Sequence, residues 1–179
     1  FNYYMKTFLH SAFALILSLF ASSPLIGIDA QMVTTDTMRK ETYYVVQCLE
    51  NIHYNNQSIQ KLDMNQVVEE YVTQYDMHHL FFLQKEVDQF KTRFAPTLEL
   101  YLRQGNTFPA FEIFTNFLDV ANERFDWVDH RLDESFDFTI EDYYTPDRRK
   151  LPWPADHKAA SHLWEQRIKY ELLNELLGQ

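Results

Sequence analysis

The side chains able to do chemistry are few, and their spacing does not combine them. Seven histidines occur: His10, His53, His78, His79, His130, His157 and His162. None stands in an HExxH arrangement, the spacing that sets two imidazoles on one helix face over a zinc ion. His157 and His162 are five apart and do not stack along a helix. His130 has Asp133 and Glu134 at helical spacing, which could form a carboxylate–imidazole metal face; a solvated helix face is the simpler reading. His78-His79 precede an apolar run and read as a buried or half-buried pair rather than a catalytic one. The serines beyond residue 30 are Ser58, Ser135 and Ser161. None has the flanking glycines that expose a nucleophilic hydroxyl on a sharp turn. Cys48 lies in an apolar helical pattern with no basic neighbour to form a thiolate, and it is expected to be buried. Glu69-Glu70 and Asp133-Glu134 read as solvated charge. Phe111, Phe114, Phe117 and Phe125 read as core rather than as a cofactor groove. The residues themselves assemble no catalytic group, no cofactor site and no metal site.

Composition agrees with that reading. The chain has 179 residues, 16 Lys+Arg and 26 Asp+Glu, for a net charge of −10. Such an acidic balance disfavours nucleic acid as a partner, because phosphate binding needs a basic surface. Glycine occurs only 3 times, against about 7 % in average usage. That shortage argues against a P-loop or a dinucleotide fingerprint, which place glycine where backbone meets phosphate. It also argues against a β-rich fold with many tight turns. Hydrophobic residues make up 46 %, enough to form a core. A single cysteine excludes an internal disulfide and a Cys-based zinc site.

The first thirty residues read as a targeting segment. Met5-Lys6-Thr7 gives a short basic start, and Phe8 to Ala21 an apolar stretch too short for the roughly 20 residues of a membrane span. Pro24 and Gly27 break it, and a cut is expected after Ala30. The reading is therefore an upstream extension over 1–4, a signal peptide over 5–30 and a mature domain over 31–179. No Cys directly follows the cut to accept a lipid. The mature protein is expected to be exported and to have no stable membrane span.

The remainder reads as all-α: an irregular bundle of about five to six helices, with one long central helix and a Pro/Trp-rich connector before the last. Asp36 is a candidate cap for Thr37–Tyr54, whose stripe is Tyr43, Val46, Cys48-Leu49 and Ile52. Asp63 is expected to cap the next helix, with Gln66 completing a capping box. A short helix follows over Glu86–Phe90. Ala95-Pro96 reads as a break, with Pro96 opening Thr97–Arg103 and Gly105 stopping it. Thr107 is a candidate cap for a helix to about Ser135, through Phe111, Phe114, Phe117-Leu118, Ala121, Phe125, Val128 and Leu132. Phe136 to Pro154 cannot be helix interior at Pro152-Trp153-Pro154. Asp156 then caps His157–Leu177, with Leu163-Trp164, Arg167-Ile168, Leu172 and Leu176 on one face.

The connector and the last helix carry a resemblance. Asp147-Arg148-Arg149-Lys150-Leu151-Pro152-Trp153-Pro154 and Leu163-Trp164-Glu165-Gln166-Arg167-Ile168-Lys169-Tyr170 resemble the N-terminal helical domain of the tail-specific proteases, the C-terminal processing peptidases. That family shows D-R-x-K-x-P-W-P, then L-W-x-x-(K/R)-(V/I)-K-(F/Y). A bend like Phe136-Asp137-Phe138-Thr139 precedes both. Upstream, Leu62-Asp63 followed by Tyr71, Asp76, His79 and Val87 also matches. The resemblance covers about residues 38 to 177.

The resemblance implies a larger serine endopeptidase of the Gram-negative periplasm. Its members carry, after the helical region, a PDZ domain that captures substrate C-termini and a core with a Ser/Lys dyad, the lysine serving as general base. The family's serine and lysine have no counterpart here, so no catalytic residue transfers. The implied role is scaffold and substrate gating; the implied partners are the rest of the polypeptide, protein substrates and a lipoprotein adaptor. The candidate motif and docking residues are Asp147, Arg148, Lys150, Pro152, Trp153, Pro154, Leu163, Trp164 and Lys169. Trp153 between two prolines is a rigid apolar anchor. It either fills this domain's own core or docks another domain. The competing reading of the whole is a stand-alone exported helical module that binds protein without enzymatic activity.

Overall fold

The computed structural model describes residues 32–54 and 58–178. The upstream extension, the signal peptide and Asn55-Asn56-Gln57 lie outside the described residues. Five α-helices follow in order: α1 (Asp36–Asn51), α2 (Met64–Tyr75), α3 (Gln84–Arg103), α4 (Phe108–Leu132) and α5 (His157–Gly178), with a 3-10 turn at Ile59–Lys61. No strand occurs among the described residues. The fold is all-α.

Local chemistry sets most boundaries. The Asp63 carboxylate accepts from the Asn65 and Gln66 amides at the start of α2. Gln66 does not close a capping box; its amide reaches forward to Glu70 instead. Asp156 accepts from the Ala159 amide at the start of α5. The first helix is capped one residue earlier than expected, by Thr35, which accepts from Met38. Thr107 precedes α4, but its hydroxyl meets Thr34 at 2.8 Å. The Phe108 amide is taken by Asn106. At the end of α3, Asn106 N–H donates to the Tyr101 carbonyl and Gly105 N–H to that of Leu102. This paired Schellman closure needs the left-handed conformation that Gly105 adopts at φ 64°.

Two sequence expectations fail here. Pro96 does not break the chain: one helix runs from Gln84 to Arg103 with Pro96 inside it. Val87, Phe90, Phe94, Ala95 and Leu98 are all buried along that helix. Their continuous packing outweighs the roughly 3 kcal/mol that an interior proline costs. In α1, the expected apolar stripe faces outward. Only Val46 is buried, whereas Tyr43, Leu49 and Ile52 are exposed, and so is Cys48. Positions i and i+2 of a helix point about 200° apart, so burying Val46 turns Cys48 out. An ion pair and a backbone contact hold α1 beside Val46. Glu50 accepts from Arg103 through both carboxylate oxygens, and Arg39 lies against Gly105.

The core gathers Val68 and Val72 of α2, the buried face of α3, Ile113 of α4, Phe82, and Trp153 from the connector. In α4 the fully buried positions are Pro109, Ile113, Ala121 and Val128. The expected phenylalanines lie half-buried at its flanks. Phe117 meets Tyr75, Phe81 and Phe82 with ring centroids 5.5, 5.4 and 6.0 Å apart.

Candidate functional site

The residues between α2 and α3 organise the site. Asp76 ends α2 and is 2 % exposed. The chain turns back over its carboxylate, so the amides of Leu80, Phe81 and Phe82 all donate to it, at 2.7, 3.0 and 3.0 Å. The turn needs His79 at φ 54°, a left-handed conformation unusual for a residue with a side chain. The His79 ring is held in return. It stacks on Trp153 with centroids 3.6 Å apart. Its Nδ1 pairs with the Leu151 carbonyl; a carbonyl only accepts, so Nδ1 carries the proton.

The connector closes onto this turn. Trp153 Nε1 donates to Asp76 Oδ2 at 3.0 Å, and the ring is 6 % exposed within the domain's own core. The Pro154 carbonyl accepts from the Gln84 amide at the start of α3. Glu86 in turn accepts from the Leu83 amide. From α5, Trp164 Nε1 donates to the Leu80 carbonyl at 2.7 Å. Two tryptophans from distant parts of the sequence therefore seat on one eight-residue stretch, Asp76 to Leu83. Pro152-Trp153-Pro154 suits this task because two fixed φ angles leave the indole few alternatives.

The candidate residues divide clearly. Trp153, Pro154, Leu163 and Trp164 are buried. Arg148 is half-buried and donates to the Pro152 carbonyl. Lys169 lies beside Asp142, 3.9 Å away, and Asp142 also accepts from Gln166. Asp147, Lys150 and Pro152 are exposed. Asp147 pairs with Arg149, whose guanidinium holds its carboxyl well below the usual range. Sequence reasoning named Asp76 and His79 as pattern matches without a role. The available signal was an acidic residue at a helix end, beside two histidines and an apolar run.

The chemistry of this arrangement is cohesion. Both Asp76 oxygens are taken by four donors, so the carboxylate holds the chain. His79 is committed through its ring face and its Nδ1. His130 is exposed, with Nδ1 against the Asp126 carbonyl. Among the described residues, no group of three or more His, Cys, Asp or Glu is placed to hold a metal. No helix among them is long and apolar enough to cross a membrane.

A strand-free helical domain whose Pro-Trp-Pro connector is pinned to a buried aspartate is thus the class of protein that the fold and the site define. The family model described as "Tail specific protease N-terminal domain" matches residues 45–179. The chain belongs to that family, and every candidate motif residue lies inside the matched span. It is similar to the tail-specific protease of Haemophilus influenzae, at 26 % identity over 153 residues. That alignment covers 86 % of this chain and 21 % of the relative, so the chain spans about one fifth of the relative's length.

Proposed function

We propose that this chain is the N-terminal scaffold and substrate-gating domain of an exported serine endopeptidase that processes proteins from their C-termini in the Gram-negative periplasm. The domain itself is non-catalytic in this reading, and cleavage is done by a PDZ and Ser/Lys protease region elsewhere in the same polypeptide. The observation that carries the reading is the family match across 45–179, with the whole connector motif inside it. The surface supports a scaffold role. Large exposed apolar side chains concentrate on the outer face of α1 (Tyr44, Val45, Leu49, Ile52) and at the α5 end (Leu173, Leu176, Leu177). Apolar surface of this kind fits further protein packed against it.

The test compares the complete gene product with residues 31–179 alone on an unstructured reporter. The complete product is expected to degrade the reporter from its C-terminus, and the helical domain to leave it intact. Robust cleavage by residues 31–179, with contaminants excluded, overturns the non-catalytic assignment. A reading frame that closes at Gln179 overturns the protease assignment in favour of a stand-alone binding module.

A further inference from the structure

Half of the eight arginines in this acidic chain pair with carboxylates. Arg93 pairs with Glu112, Arg103 with Glu50 and Glu99, Arg131 with Glu165 and Glu134, and Arg149 with Asp147. Three half-buried arginines form no such ion pair among the described residues: Arg124 of α4, Arg148 of the connector and Arg167 of α5. They are not scattered. Arg124 lies over Trp127 and Trp164, with its guanidinium carbon 5.1 and 5.9 Å from the ring centroids. Arg167 lies over Trp164 at 4.9 Å. Tyr144 of the connector packs on Tyr170 of α5 with ring centroids 5.3 Å apart, and its phenol lies in the fields of Arg167 and Arg148. Cation and ring alternate from α4 to α5, and the connector adds Tyr144 and Arg148 beside them.

Each member of this belt keeps donors unspent. The polar contact of Arg124 is Ser161 Oγ at 3.4 Å, and the one carboxylate that acts on it is its neighbour Glu123. Burial lowers the affinity of Arg124 and Arg148 for their protons. Arg148 Nε is buried with no partner. The charge of Arg148 feels Asp76, but that carboxylate is already saturated by four donors. Of the other carboxylates nearby, Glu165 is committed to Arg131, Asp142 to Gln166 and Lys169, and Asp147 to Arg149; Glu171, whose charge reaches Tyr144, forms no ion pair with these arginines. Stacked guanidinium groups with free forked donors are suited to planar carboxylates.

We propose that the belt of Arg124, Arg167 and Arg148, interleaved with Trp127, Trp164 and Tyr144, docks an acidic extended segment of a separate partner protein. Arg124 and Arg167 both lie within 6 Å of one indole centroid. Two guanidinium groups about one ring suit carboxylates of a single extended segment, whose alternate side chains stand roughly 7 Å apart on one face. A peptide offers a few spaced carboxylates there. A nucleic-acid strand would carry continuous charge past Glu123 and onto a chain of net charge −10. The inference does not rest on the protease reading, because it is tested by binding and not by cleavage.

The experiment measures fluorescence anisotropy of a labelled peptide of alternating Glu and Gly, titrated with the full-length protein. Binding is expected, weaker at high salt. Arg124→Gln with Arg167→Gln is expected to weaken it about tenfold or more, with helicity by circular dichroism unchanged. Arg124→Lys with Arg167→Lys should fall between, since lysine keeps the charge and loses the fork. Arg167→Gln alone leaves the Arg124–Ser161 contact in place and serves if the double variant unfolds; it too should weaken binding. Absence of binding by the full-length protein overturns the proposal. So does equal affinity in the folded Gln variants, or an oligothymidylate that binds as tightly as the peptide.

Discussion

Trp153 Nε1 lies 3.0 Å from Asp76 Oδ2 across a sequence separation of 77 residues. This one hydrogen bond joins the connector to the turn that ends α2. The same carboxylate carries three backbone amides, so removing it strands four donors, three of them in buried bonds. Each unsatisfied donor costs about 1–3 kcal/mol. Asp76→Ala is therefore expected to lower the unfolding free energy by at least about 4 kcal/mol, read by urea denaturation. Asp76→Asn keeps one acceptor oxygen and should lose less. An Asp76→Ala protein as stable as the parent would refute the turn's dependence on this group.

Trp153 permits the reciprocal measurement. Trp153→Phe keeps a buried ring and deletes only the indole donor, leaving Asp76 with three. It is expected to cost about 1–2 kcal/mol. Trp153→Ala also empties a cavity beside His79 and the core, and about 3–5 kcal/mol is expected. Equal losses for Phe and Ala would show that the hydrogen bond, and not the packing, anchors the connector.

Gly105 sits at φ 64°, and a Cβ built there would lie 2.2 Å from the Arg39 carbonyl oxygen. Gly105→Ala meets both objections at once. The left-handed backbone costs about 1–2 kcal/mol for a residue with a Cβ, and the clash is with backbone, so α1 must move. A fall in Tm of roughly 4–8 °C is expected for a loss of about 2 kcal/mol in a chain of this size. The Tm by circular dichroism tests it; an unchanged Tm would show that α1 shifts freely.

These residues also show where sequence reasoning reaches and where it stops. Asp63, Asp156 and Gly105 act within a few positions of themselves, so their capping roles are legible from neighbouring residues. The connector is legible for the same local reason: two prolines around a tryptophan cannot continue a helix. Asp76 works differently. Its meaning depends on a left-handed His79 and on an indole 77 residues away, and neither leaves a periodic trace. The α1 stripe misleads because the helix is held through Glu50, a polar residue that hydropathy counts as outward, and through the backbone of Arg39 packed on Gly105. The arginine belt arises only once three segments come together.

Pro96 offers a test of tertiary override. It lacks the amide that would donate to the Thr92 carbonyl, yet α3 continues through it. Pro96 is exposed, so replacement disturbs no core contact. Pro96→Ala restores the donor and relieves the ring's clash with the preceding turn, worth about 3 kcal/mol. It also frees the unfolded chain, which returns up to about 1 kcal/mol. A net gain of about 2 kcal/mol is expected by urea denaturation. A loss of stability would show that the proline's curvature is needed to seat Phe94 and Leu98.

Glu50 predicts how the attachment of α1 responds to acid. Hydrogen bonds from Arg103 first, then from Ser58 and the Ile59 amide, bring its carboxyl from an ordinary value of 4.5 down to about 2. A carboxyl with a lowered folded-state pKa binds protons more readily in the unfolded chain. Its contribution is therefore whole above about pH 4.5 and is lost as pH falls towards 2. Glu50→Gln removes that titration together with the ion pair to Arg103, 2.8 Å away. The variant is expected to be less stable than the parent at neutral pH. As pH falls from about 5 to about 2.5, the two urea midpoints should converge, because only the parent still loses this term. Curves that stay parallel across that window would show that Glu50 contributes nothing through its charge, and that α1 is held by Val46 and the Gly105–Arg39 contact alone.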